Sequence, residues 1–439
     1  MSTATSELRS GQGGGHYLVA APVVLPFAGY ALWWVLGIGD FVWLLAGLAV
    51  VLSWIRIRGL RIPRPYFLWA FFVGWVAVTL VMNDNTGRFT GALYRLLLYL
   101  SAGLLALYTY NARRSLPLRQ VTGAMVWFLA GMSLVGYLAL VFPLAVIRTP
   151  MSWIMPEFLA RNQLVEQMII RNMTHWVPDT WIEQAVRPVA PFLYANTWGN
   201  VYSLVLPLAL LHLWLVWYTR HRWLVLLVVL ASVYPALSTL NRGMFIGLAV
   251  VGFWVVVQML LRGQILLSLF SAVAAVAAAG AWFISPLGEA LRNRAETTYS
   301  VEDRALIYRA TFDAVLQSPL FGYGSPRPAE MSWLPSLGTQ GQLWTVLYSH
   351  GFVGAALFLG FFLAVCVTVL RRRDVVGAVL GGIILATLVE TVFYGMMTGL
   401  MVTMVVVGLS LRPDTVISSG GRPVIAARPS STRRPRVRR

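Results

Sequence analysis

The chain has 439 residues, of which 58% are hydrophobic and only 11% charged, and its mean hydropathy is +0.71. A soluble domain carries about 25% charged residues, so a chain of this length and composition cannot cover itself in water. The formal net charge of +18 comes from Arg alone, with no Lys. Because most of those Arg residues sit in short connections between apolar blocks and in the tail, they point to membrane topology and lipid headgroups, and nucleic acid is not an expected partner.

The apolar blocks are long enough to cross ~30 Å of hydrocarbon as helices. In lipid every backbone N–H and C=O must be satisfied within the chain, and the alternating strands of a barrel are absent. The expected fold is therefore all-α: a polytopic membrane protein with about 12 transmembrane helices. Residues 1–15 are polar and Gly-rich and read as a disordered cytoplasmic N-terminus. The first apolar block lacks a small-residue cleavage site, so no cleavable signal peptide is expected. Spans are expected near 16–37, 41–55, 66–82, 89–110 and 121–147. After a long loop at 148–195 come spans near 196–218, 223–240, 244–261 and 265–284. A second long loop, 285–341, precedes spans near 342–370, 375–394 and 398–411, which closes a transmembrane domain at 16–411. Residues 412–439 read as a disordered basic cytoplasmic tail lying near anionic lipid.

Arg placement orients these spans. Arg56, Arg58, Arg61 and Arg64, then Arg113, Arg114 and Arg119, then Arg220 and Arg222, Arg262, and Arg371 to Arg373 all fall on one side, together with the tail. The positive-inside rule makes that side cytoplasmic and the two long loops external. Both loops are rich in Trp, Phe, Leu and Ile, which is unlike disordered sequence. Pro156–Asn172 places Phe158, Val165, Met168 and Ile169 near one face, the pattern of an interfacial helix. Ser300–Gln317 is a clearer helix: Ser300 and Asp303 form an S-x-x-D start signal, Val301, Ala305, Tyr308, Phe312, Val315 and Leu316 recur at helical spacing, and Pro319 and Gly322 end it.

Long loops on a rigid scaffold carry function, and this external half is rich in Arg: Arg148, Arg161, Arg171, Arg187, Arg242, Arg292, Arg294, Arg304, Arg309 and Arg327. Arg suits bidentate recognition of phosphate. Arg242 stands out because Ser238-Thr239-Leu240-Asn241-Arg242-Gly243 is a polar turn between two apolar spans, and Gly243 permits a close approach by another backbone or a ligand. Arg95 and Glu390 lie within the membrane, where a charge faces either a cavity or a partner. A cavity role and a plain Arg95–Glu390 pair are both open. His175 and His350 are general-base candidates, against the alternative of hydrogen-bonded structural histidines. Cys366 is the single cysteine, and no metal-ligand cluster, catalytic Ser-His-Asp spacing or nucleotide-type Gly loop is visible, so neither a metal nor a cofactor is expected.

Three segments carry a resemblance to a known family. They are STLNRG followed by an apolar span, the Arg-bearing DRALIYRATFDAVLQSPLFGYG, and QLWTVLYSHGFVG with its Gly-x-x-Gly. In this order they resemble the O-antigen ligase and polymerase superfamily of bacterial membrane glycosyltransferases, over roughly residues 196–370. The resemblance implies a GT-C-like arrangement and a sugar-transfer site on the outer face, roofed by loop 148–195. It also implies that Arg242 and Arg304 hold the phosphate of a polyprenyl-linked glycan donor, with Arg309 a further candidate, while an envelope glycan or lipid acceptor supplies the attacking hydroxyl. The family's usual His-Asn pair is replaced here by Gln340-Gly341, and Gln is no base at neutral pH. The proton therefore falls to His175, to Glu302 or Asp303, to His350, or to the leaving phosphate itself. A transporter or flippase of lipid-linked glycan, and a non-catalytic scaffold of envelope synthesis, are the alternatives from other classes.

Overall fold

A computed structural model describes residues 20–54, 59–175, 186–285, 288–289, 291, 300–329, 331, 334–413, 416–417 and 423–424. The chain opens with α1 (Ala21–Ala28) and α2 (Tyr30–Val35), followed by α3 (Val42–Trp54), α4 (Tyr66–Thr79), α5 (Thr86–Asn111) and α6 (Leu118–Val141). The first long connection holds β1 (Val146–Arg148), α7 (Met151–Ile154), α8 (Glu157–Ala160), α9 (Gln163–Ile169) and β2 (Ile170–Asn172). Then come α10 (Ala195–Leu215), α11 (His221–Ser238), α12 (Arg242–Leu260), α13 (Ile265–Phe283) and α14 (Ser300–Gln317). The last three helices are α15 (Gln342–Val369), α16 (Val375–Glu390) and α17 (Thr398–Ser410).

The fold is that of an all-α polytopic membrane protein. Among the described residues, six helices are long and apolar enough to cross a membrane: α5, α6, α10, α11, α12 and α15. Shorter apolar helices are Val42–Trp54, Tyr66–Met82, Val375–Glu390 and Thr398–Ser410. Local capping sets several starts. Asn85 accepts from Arg88 N (2.9 Å) at α5, and Asp374 accepts from Gly377 N (3.2 Å) at α16. The long helices pack in pairs, α12 along α16, α5 along α17, α6 along α10 and α4 along α15. Between α4, α5 and α15 the rings of Trp69, Phe72, Tyr99, Phe358 and Phe361 form one buried aromatic cluster.

Three expectations change. The span expected at 16–37 is split between α1 and α2, because Gly29 leaves helical geometry (φ −94°, ψ 10°) and Trp33 Nε1 donates back to Leu25 O (2.9 Å). The interfacial helix expected at Pro156–Asn172 is also broken. Asn162 starts α9 afresh by accepting from Leu164 N (3.0 Å), and residues 170–172 leave helix to pair with β1 in the register Val146↔Asn172, Ile147↔Arg171, Arg148↔Ile170. Phe158 is consequently exposed while Met168 and Ile169 are buried. In the tail, Arg412 donates to Thr109 O (3.1 Å) and Leu116 O (2.8 Å), and Val416–Ile417 pairs antiparallel with Pro423–Val424; the tail at 414–415, 418–422 and 425–439 and the N-terminal 1–15 lie outside the described residues.

The hairpin of the first long connection is pinned by a buried ion pair. Arg171 Nη2 donates to Asp40 Oδ2 at 2.6 Å, with side chains 2% and 6% exposed. Breaking one half of such a pair strands the other charge and costs about 3–5 kcal/mol, whereas replacing both with apolar groups is often neutral. Arg171→Met should therefore lower the Tm in detergent clearly, and Asp40→Leu combined with Arg171→Met should recover most of the loss. Equal Tm values for the single and double variants would show that the pair does not anchor the hairpin.

Candidate functional site: a cationic pocket beside a polar cavity

The site is assembled around the polar turn between α11 and α12. Leu240 takes φ 48°, a left-handed conformation that non-glycine residues adopt at a cost. This turns Asn241 inward, where its Nδ2 donates to Ala195 O (3.1 Å) and its Oδ1 accepts from the Tyr394 hydroxyl. Arg242 is the first residue of α12 and is exposed. The close approach allowed by Gly243 is made by neighbouring side chains, since a Cβ there would lie 2.5 Å from both Phe393 and Tyr394.

Helix α14 has the bounds read from its sequence. Tyr308 docks it: the hydroxyl donates to Gln340 O (3.0 Å) and Val392 O (3.2 Å), and the ring stacks on Trp344 at 4.5 Å. Burial pushes the Tyr308 phenol above its ordinary pKa, so it remains a donor. Arg304 stands one turn earlier on the same helix face.

Arg242 and Arg304 line one open pocket of about 330 Å³ with His175, Arg187, Asn241 and Tyr394. Arg187 Nε donates to Thr239 O at 2.6 Å, which ties the first long connection to the Arg242 turn. Three guanidinium groups and no described carboxylate face this space, an arrangement suited to a phosphate or pyrophosphate. His175 Nε2 lies 3.0 Å from Leu193 O, and the ring stacks on Tyr194. A carbonyl only accepts, so Nε2 is the donor in this contact and Nδ1 is the ring nitrogen left to face the pocket chemistry.

A second cavity, of about 440 Å³, shares Tyr194, Asn196 and Phe393 with the first. Its other lining includes Arg95, Tyr99, Thr339, Gln340, Gln342 and Thr345. A third, apolar groove of about 210 Å³ shares Tyr94 and Leu164 with this cavity and is lined by residues such as Leu93, Leu97 and Met155.

Several sequence candidates lie elsewhere. His350 lines neither the cationic pocket nor the polar cavity. It is 3% exposed, its Nδ1 is 2.7 Å from Thr79 Oγ1, and its backbone carbonyl accepts from Trp75 Nε1 (2.9 Å). Its ring is hydrogen-bonded next to the helix break at Gly351. Arg309 is exposed and lines neither pocket, because one turn and more beyond Arg304 the helix has rotated it away. Glu390 is wholly buried and does not pair with Arg95: Asn200 Nδ2 donates to Oε2 and Ser203 Oγ to Oε1, both at 2.6 Å. Of the two expected cavity charges, Arg95 lines the polar cavity, and Glu390 lines none of these three spaces. The side chains of Glu302 and Asp303, and all of Arg292 and Arg294, lie outside the described residues. Arg187 was named only as one of the external Arg set, and Tyr394 was not singled out by sequence, since it reaches the pocket from the connection between α16 and α17, far from Arg242 along the chain.

Residues 229–359 match the family described as O-Antigen ligase. The match begins within α11 and ends within α15, so it contains Arg242, Arg304 and Gln340. No curated protein matches the chain.

Proposed function

We propose that this chain is a glycosyltransferase of the bacterial cytoplasmic membrane, a reading supported by the match of residues 229–359 to the O-Antigen ligase family. It takes a glycan from a polyprenyl phosphate or pyrophosphate and passes it to an envelope acceptor on the outer face. The observation that carries this reading is the meeting of Arg187, Arg242 and Arg304 in one pocket beside a cavity lined by hydroxyls and amides.

The donor's phosphate sits in the cationic pocket and the acceptor glycan in the polar cavity. The two meet at the shared wall of Tyr194, Asn196 and Phe393. An acceptor hydroxyl oxygen bonds to the anomeric carbon, and the bond from that carbon to the phosphate oxygen breaks, its electron pair leaving with the lipid phosphate. Negative charge grows on the phosphate as the bond breaks, so fixed guanidinium groups stabilise the transition state more than the ground state. The apolar groove fits a prenyl or acyl chain from either substrate. Transport of the donor would instead call for a polar path through the bundle. Beneath the pockets Glu390 is hydrogen-bonded and sealed among α10, α12 and α16, which favours a site open at one end.

The test is the purified protein in nanodiscs with a lipid-linked oligosaccharide and a glycan acceptor. Glycosylated acceptor and free lipid phosphate are the expected products. Movement of intact donor across a liposome bilayer, with no transfer, would establish the transporter reading in its place. In the same assay His175→Ala should lower kcat by about 10²–10⁴, the range for a lost general base, with donor binding retained. An unchanged kcat would assign the proton to the leaving phosphate.

A further inference from the structure

We infer that the polar cavity selects an acceptor whose sugar carries an anionic group, a carboxylate or a phosphate ester, and that Arg95 is the residue that reads it. This rests on the glycosyltransferase reading and adds to it the chemical class of the acceptor.

Arg95 is the tenth residue of α5, about 14 Å along the helix from Thr86 at 1.5 Å per residue. A charge at such a depth is costly, and it faces a partner or a cavity. The described carboxylates nearby are already engaged: Glu390 by Asn200 and Ser203, Asp40 by Arg171, Asp84 by Arg88. Among the described residues Arg95 makes no hydrogen bond or ion pair, and it is the one charged group lining a cavity whose other described walls are neutral. Those walls are built in advance. Gln342 Nε2 donates to the Tyr99 hydroxyl (2.7 Å), and Gln342 Oε1 accepts from Met396 N (3.0 Å). Thr345 Oγ1 is held by Gly338 O at 2.6 Å.

Hydroxyl and amide walls match the hydroxyls of a sugar, and a lone guanidinium matches a planar oxyanion through two parallel bonds. The donor phosphate does not account for Arg95, because three other Arg residues serve the neighbouring pocket across the Tyr194–Asn196–Phe393 wall. Gln340 sharpens the point. It lines the same cavity as a neutral amide, so Arg95 alone sets the charge there.

The experiment measures binding of glucose, glucuronic acid and glucose 6-phosphate to the full-length protein in nanodiscs by saturation-transfer NMR. At least one anionic sugar should bind about tenfold more tightly than glucose, equivalent to about 1.4 kcal/mol. Arg95→Gln should erase that preference and leave glucose binding within about twofold, and Arg95→Lys should restore part of it. Gln340→Glu, which sets a carboxylate in the same cavity, should weaken the anionic sugar more than it weakens glucose, and serves as the second variant if Arg95→Gln is poorly folded. Loss for glucuronic acid marks a carboxylate acceptor; loss for glucose 6-phosphate alone marks a phosphate ester. Equal binding of all three sugars would overturn the inference. So would a preference that survives Arg95→Gln but disappears in Arg242→Ala, since that places the anion in the donor pocket. The readout needs no turnover, so a chain without transferase activity can still show an Arg95-dependent preference, and an active transferase can still fail this test.

Discussion

Arg242→Ala and Arg304→Ala should each lower the rate of glycan transfer by about 10²–10³, the usual consequence of removing one preorganised donor from a developing anion. The two side chains reach the pocket on separate supports. Arg242 opens α12 directly after the strained Leu240, and Arg304 is set by the docking of Tyr308 against Gln340 O and Val392 O. Each lies in the same pocket of about 330 Å³, and groups acting on one phosphate act as a unit. The double variant should therefore be little worse than the poorer single one, and far short of the product of the two losses. Lys at either position should recover only part of the rate, because an ammonium cannot make the two parallel bonds of a guanidinium. Arg309→Ala is the control: the side chain is exposed and off the pocket walls, so its rate should stay within about twofold of wild type. The measurement is kcat and KM with a lipid-linked donor. Near wild-type kcat for both Arg242→Ala and Arg304→Ala would remove the phosphate clamp and, with it, the proposed chemistry.

What was legible in the sequence follows the range over which its signals act. Helix α14 could be bounded from residues alone, because its start signal, apolar spacing and terminating Pro-x-x-Gly are all local. The spans were legible for the same reason, since bilayer thickness imposes a length on each apolar block. Arg242 and Arg304 could be nominated because each belongs to a short motif and the motifs occur in order. The hairpin of 146–172 could not be foreseen: a helical period was read through Ile170–Asn172, and only pairing with Val146–Arg148 pulls those residues into a strand. The surroundings of His350 could not be foreseen either: it stands next to a break in α15, and Thr79 at the end of α4 lies against its ring nitrogen. Arg95 and Glu390 invited pairing by sign alone, yet Asn200 and Ser203 on α10 already satisfy the acid. In each case the deciding contact comes from a distant part of the chain.

Gly351→Ala should be a severely damaging single-methyl change. Gly351 sits inside the 28-residue helix α15 with φ 65° and ψ −169°, a combination essentially reserved for glycine. A Cβ there would lie 2.3 Å from Leu320 O, which is backbone and cannot swing aside. The break is spliced by the turn that ends α14: Tyr323 N donates to Tyr348 O (3.0 Å), Gly324 N to Ser349 O (2.8 Å), and Phe352 N to Pro319 O (2.8 Å). An alanine that forced regular helix at this point would break that splice and leave polar backbone groups unsatisfied at membrane depth, each costing several kcal/mol. Even the backbone strain alone is worth about 1–3 kcal/mol, against a typical total stability of about 5–15 kcal/mol. The same turn closes the C-terminal end of α14, the helix that carries Arg304 near its start, so any protein that did fold should also transfer glycan slowly. Gly360→Ala, farther along the same helix, is the comparison: the nearest atom to its new methyl is Leu68 Cδ1 at 4.0 Å, and the position is ordinary helix. That variant should match or slightly exceed the wild-type Tm, since Ala is favoured over Gly in a helix by about 0.5–1 kcal/mol. Thermal unfolding and the yield of monodisperse protein in detergent give the readout. If Gly351→Ala melted with Gly360→Ala, the break in α15 and its splice to the turn at 319–324 would be dispensable for stability.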